Sequence, residues 1–117
     1  MSMLVHLTDH RRRARRIFFT RPELNQLLSL YTRQVMRGEW RDYAIDQHEA
    51  GALFSVFRHT HESPLFTVLK AAPGNTRNGE FALLQGRRRL ASASSLSEIL
   101  LSLLRVLGPT AVPRDEG

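Results

Sequence analysis

Leu24, Leu27, Leu28, Tyr31 and Val35 recur at intervals of three and four, the spacing that lines one side of an α-helix. The residues just before them supply a start. Thr20-Arg21-Pro22-Glu23 has the form of a capping box, with the Thr20 hydroxyl placed for the Glu23 amide and the Glu23 carboxylate for the Thr20 amide. Pro22 in the first turn forfeits no helical hydrogen bond, and Phe19 can staple onto Leu24. Arg33 and Arg37 suit the negative end of the helix dipole, and Gly38 is a left-handed stop. The pattern predicts a helix over 21–37. A wider stripe of Leu96, Ile99, Leu100, Leu103, Leu104 and Leu107 opens on a second capping box, Ser95-Leu96-Ser97-Glu98, and stops at Gly108-Pro109.

Between the two stripes the period falls to two. Tyr43-Ala44-Ile45-Asp46 alternates as a short strand, and His48 to Gly51 reads as a turn. Ala52 to His59 is β-rich on both sides: Phe54 and Val56 point one way, Leu53 and Phe57 the other. Such a run fits a central strand covered on both faces. A loop at Thr60 to Pro64 leads to a strand from Leu65 to Ala71, and Pro73 to Gly79 is a rich loop signal. Glu80 to Leu84 and Arg87 to Ala91 read as a hairpin around Gln85-Gly86, and Ala91 to Ser94 as a small-residue linker. The order is helix, four to five short antiparallel strands, helix. The fold class is α+β, a two-layer sandwich. Two packings satisfy the two-faced strand. Either one helix covers each face, or both cover one face and Leu53, Phe57 and Leu69 remain on the other as an association patch.

Composition narrows this picture without changing it. The chain has 117 residues, 42% apolar and 24% charged, which suits one globular domain. It has no cysteine, which excludes disulfides, thiolate metal sites and a cysteine nucleophile. No apolar run approaches the roughly 20 residues of a membrane span. The stretch Met1 to Val5 is too short for a signal h-region, and the basic run follows it, so the expected location is cytoplasmic. The formal net charge is +6, and much of it sits in Arg11, Arg12, Arg13, Arg15 and Arg16. The expected organisation is a flexible basic arm at 1–16, a single domain at 17–109 and a frayed tail at 110–117.

Candidate chemistry is sparse. Trp40-Arg41-Asp42-Tyr43 has the residue types of an interface anchor. The commoner outcome for a lone Trp after a helix stop is structural, wedged under that helix. His48, His59 and His61 with Glu49 and Glu62 lack a third ligand at fitting spacing for zinc, so no metal is expected. Glu39, Asp42 and Asp46 come with no nucleophile or burial signal. There is no phosphate-cradling glycine loop, no Gly-x-Ser-x-Gly elbow and no His-Glu-x-x-His. No enzyme activity and no cofactor are expected.

The runs Gly38 to Asp46, Phe54-Ser55-Val56-Phe57-Arg58 and Glu62-Ser63-Pro64-Leu65-Phe66 are similar to a small alphaproteobacterial family known only as domain of unknown function 2794. The resemblance covers roughly residues 17–108. It departs in the loop after Lys70, which is longer to Gly79 than the family pattern implies. It implies a domain boundary and no chemistry.

The expected function is a non-catalytic interaction or adaptor module that binds another macromolecule and can self-associate as a homodimer. Its expected partner-binding residues are Trp40, Arg41, Tyr43, Leu53 and Phe57. The alternative is a nucleic-acid-binding regulator that clamps phosphates with Arg11, Arg12, Arg13, Arg15, Arg16, Arg87, Arg88 and Arg89. No membrane partner is expected.

Overall fold

The structure is a computed structural model and describes residues 17–59, 63–72 and 80–108. Helix α1 spans Arg21–Met36 and helix α2 Leu96–Leu107. Between them lie strands β1 (Asp42–His48), β2 (Gly51–Phe57), β3 (Phe66–Ala71), β4 (Phe81–Gln85) and β5 (Arg88–Ala93). Each strand pairs antiparallel with the next, giving one sheet in the order β1-β2-β3-β4-β5. This is the α+β order that the periodicity predicts. The expected arm at 1–16, the tail from residue 109 and the loop at 73–79 lie outside the described residues.

The start of α1 forms as read, and the start of α2 in half: only the Ser95 side of the second capping box is made. Thr20 and Glu23 make the reciprocal capping box, with Thr20 N–H donating to Glu23 Oε1 at 2.7 Å and Glu23 N–H to Thr20 Oγ1 at 3.3 Å. Ser95 Oγ accepts from the Glu98 amide at 3.3 Å. Gly38 sits at φ 77, where its missing Cβ removes the steric cost, and the chain then turns under the helix. The Gln34 carbonyl accepts from Glu39 N–H at 2.9 Å and from Trp40 N–H at 3.4 Å.

The helix stripe is rotated from its predicted position. The most buried residues of α1 are Leu27, Leu30 and Gln34, while Val35 is exposed. The sheet meets α1 along a line one residue away from the centre of the apolar stripe. Strand ends also move: β1 is longer than predicted, and the last turn falls at Gly86-Arg87, with β5 continuing through Ala91 to Ala93.

Both helices cover the same face. Leu27 and Leu30 of α1 and Leu96, Ile99 and Leu103 of α2 share one core with Ala52, Phe54, Val56, Phe66, Val68, Phe81 and Leu83. The opposite face carries a smaller cluster of Leu69, Ala71 and Ala82 with half-buried Leu53 and Leu84. The two-helices-on-one-face packing is therefore the one adopted. Leu69 is buried, however, and so does not form an exposed patch. At the centre of that face Ser55 and Thr67 join by a side-chain hydrogen bond of 3.0 Å.

Lys70, the only lysine, ties the layers together. It lies on the helix side of β3, and its Nζ reaches Glu23 Oε1 at 2.9 Å and the Phe18 carbonyl at 3.1 Å. The two side chains are only 12% and 18% exposed. Burial pushes the Glu23 carboxyl up, but hydrogen bonds from Lys70 and Thr20 and the Lys70 charge together hold it below its ordinary value. A carboxyl lowered in the folded state stabilises above its unfolded pKa, and that stability is lost as pH falls through the folded value. Lys70→Met is expected to cost about 1–3 kcal/mol at neutral pH, because it strands a mostly buried carboxylate. Urea unfolding at pH 7 and again at pH 3 checks this: the gap between wild type and variant should narrow at pH 3.

Candidate interaction surface

The loop after α1 delivers Trp40 inward. Its ring is 2% exposed in the main core. Trp40 is thus corrected from surface anchor to core residue, because the Gly38 turn returns the chain beneath α1, where an indole fills space between helix and sheet. Arg41 is exposed and begins the pairing with β2 through its amide, 2.8 Å from the Phe57 carbonyl.

From Trp40 a line of rings leads outward. Trp40 and Tyr31 are tilted, with centroids 6.3 Å apart. Tyr31 meets Tyr43 edge-on at 4.8 Å, and Tyr43 stacks on Phe54 at 5.5 Å. Tyr43 is therefore held from two sides by an edge and a face, yet remains 39% exposed. Ile45 follows on the same side of β1 at 44% exposure. Val35, one helical turn beyond Tyr31, is exposed as well. Burial, the Asp42 carboxylate and Tyr43 push the Tyr31 hydroxyl above its ordinary value, so it stays a neutral donor at physiological pH.

Among the described residues, the backbone beside this apolar margin is open. Ala72 N–H bonds the Ala50 carbonyl at 2.8 Å, in register with the β2–β3 pairing. Even-numbered residues of β2 therefore bond β3, and odd-numbered ones bond β1. By the same alternation, Tyr43, Ile45 and Gln47 turn their N–H and C=O groups away from β2. Among the described residues no strand pairs with them. The Tyr43 amide instead donates to Asp42 Oδ1 at 2.8 Å.

The other predicted residues are scattered. Leu53 and Phe57 are half-buried on the face away from the helices. Arg87, Arg88 and Arg89 are exposed together at the β4–β5 turn, across the sheet from β1. Arg11, Arg12, Arg13, Arg15 and Arg16 lie outside the described residues. Ile45, Gln47 and Val35 were missed by sequence reasoning. The alternation of Tyr43 and Ile45 with Asp42 and Asp46 was the available signal, but it does not say which strand is an edge.

Among the described residues no group of three His, Asp or Glu is placed to hold a metal, and no helix is long and apolar enough to cross a membrane. The apolar interior between Leu27, Trp40, Phe54, Phe66 and Leu103 narrows to a cavity of ≈ 10 Å³, at most one water. The model of a family described as "Protein of unknown function (DUF2794)" matches residues 17–99, from the residue before Phe18 into α2. No curated protein and no solved structure matches the chain.

Proposed function

The chain belongs to the DUF2794 family of unknown function, and from that premise we propose that it is a non-catalytic, cytoplasmic interaction module that binds a protein partner along the β1 edge. The observation that carries this reading is a strand edge left open among the described residues, next to an apolar margin fixed by stacked rings. Strand addition draws affinity from main-chain hydrogen bonds and specificity from alternate side chains. β1 offers both, in the outward groups of Tyr43, Ile45 and Gln47 and in the rings that fix Tyr43. A ring already immobilised loses little freedom on binding, which favours it as an anchor. No catalytic step is assigned. Glu39 pairs with exposed Arg58 at 3.7 Å, Asp42 receives the Tyr43 amide, and Asp46 is exposed.

The partner fitting this edge is an extended polypeptide segment. The test is capture from nuclease-treated lysate with the full chain and with a Tyr43→Ala, Ile45→Glu variant. Tyr43→Ala removes the contacts with Tyr31 and Phe54, so the variant should melt below wild type while staying folded, and capture is compared at a temperature where both are folded. Retention of co-purifying protein should drop about tenfold, as for loss of an interface anchor. Equal retention would overturn the assignment to β1. The alternative, a nucleic-acid-binding regulator, is supported by exposed Arg87, Arg88 and Arg89. It requires material that disappears with nuclease and whose binding falls steeply with salt.

A further inference from the structure

The two edges of the sheet are built differently. β5 begins with Arg88 and Arg89 and is out of step with β4 around Leu83 and Leu84, where it carries an extra residue. Charged residues and bulges both discourage strand addition. β1 has no bulge, and its charges are two carboxylates, where β5 has arginines. It runs seven residues in unbroken register with β2, from Asp42 opposite Phe57 to His48 opposite Gly51, with no Pro, Lys or Arg. Its only charged side chains, Asp42 and Asp46, lie on the face away from the helices.

The geometry points to a second copy of this chain as the strand that docks on β1, antiparallel, with Ile45 opposite Ile45 of the other copy. This rests on the reading of β1 as the recognition edge and names its occupant. A two-fold pairing of like edges closes on itself, whereas β1 on β5 would propagate as a filament. The register follows from charge. Centring the two-fold on Ala44 places Asp42 opposite Asp46, twice over. Centring it on Asp46 sets that carboxylate against itself. Like charges directly opposite destabilise a strand pair. Centring on Ile45 instead places Asp42 opposite His48 and Ala44 opposite Asp46, and it uses the whole length of β1. Centring on Tyr43 or Gln47 avoids the clash but shortens the overlap.

The same register suits the hydrogen bonds and the apolar margin. Tyr43 would exchange main-chain bonds with Gln47 of the second copy, and Ile45 with its own counterpart. On the helix side the two exposed Ile45 side chains would meet at the axis, flanked by the two Tyr43 rings. His48 is prepared for its role. Its Nδ1 accepts the Ala50 amide at 3.1 Å, which leaves Nε2 as the nitrogen that carries a proton and can donate. Asp42 now holds the outward Tyr43 amide, at 2.8 Å. On pairing it would release that amide to the Gln47 carbonyl and turn to His48. In the free chain the same contact shields the edge.

Sedimentation equilibrium of the full-length chain, treated with nuclease, tests this. Wild type should reach twice the 13.4 kDa chain mass as concentration rises. Ile45→Lys should stay monomeric where wild type is dimeric, with an unchanged circular dichroism spectrum. His48→Asp should weaken the dimer about tenfold by placing carboxylates opposite each other at both ends. The double change Asp42→His, His48→Asp restores an acid–imidazole pair and should recover most of that loss. A wild-type monomer at millimolar concentration overturns the proposal. A dimer indifferent to Ile45→Lys overturns the edge, and failure of the double variant to recover overturns the register. A monomer whose protein partners are still lost in Tyr43→Ala, Ile45→Glu would remove the second copy alone and leave the recognition edge standing.

Discussion

Gly51→Ala should come close to preventing folding. Gly51 opens β2 at φ 142, a region where side chains are rarely accommodated. Space is shorter still. A Cβ built there would stand 2.0 Å from the Lys70 carbonyl oxygen, 2.9 Å from its carbon and 3.0 Å from the Ala72 nitrogen. All three atoms are backbone of β3 or its continuation, so no rotamer can relieve the overlap. The strands would have to separate at the Gly51–Ala71 pair, next to the Ala72–Ala50 hydrogen bond that begins their ladder. We expect a loss of about 4 kcal/mol or more, a large share of the 5–15 kcal/mol typical of a domain. By thermal unfolding that corresponds to a drop in Tm of roughly 15 °C or more. A variant melting within a few degrees of wild type would mean that β2 and β3 do not approach in this way.

Gly51 also marks where sequence reading stops. In the sequence it is the last residue of a turn, and nothing there announces that another strand's carbonyl lies where its side chain would be. What was legible is what is local. Thr20 and Glu23 are three residues apart, and their reciprocal bonds need no other part of the chain. Gly38 and Gly108 stop their helices because a positive φ, 77 and 95, is a property of the single residue. The face each helix buries was less legible, because the sheet decides it. Leu30 and Gln34 go inward while Val35, in the predicted stripe, turns out. Which strand forms the edge lay furthest from reach. Ala52 to Phe57 reads as two-faced because β2 is flanked by β1 and β3 and has the core on one face and the Leu69 cluster on the other. β1 reads as a modest alternating strand, and only its place at the margin makes Tyr43 and Ile45 available to a partner. Trp40 was ambiguous for the same reason. Its residue type fits an interface or a core, and the path of the chain after Gly38 settles which.

Trp40→Ala should therefore act on stability before it acts on binding. The indole is 2% exposed and touches both layers of the core through its neighbours on α1 and the sheet. Removing it deletes a large apolar surface and leaves a cavity that a small domain can only partly close. The expected cost is about 3–5 kcal/mol by urea unfolding. Trp40→Phe keeps most of the apolar volume and should cost roughly half as much or less. The damage should also spread toward β1, because Tyr31 lies between Trp40 and Tyr43 in the line of rings. A loosened Tyr31 leaves Tyr43 with only Phe54 to fix it, so partner retention should fall in whatever fraction of Trp40→Ala remains folded. As the sole tryptophan, Trp40 reports on itself. Native emission should be that of a water-shielded indole and should shift to the red in a single step with urea unfolding. Trp40→Ala with wild-type stability and abolished partner capture would instead make the indole a surface anchor, against its burial here.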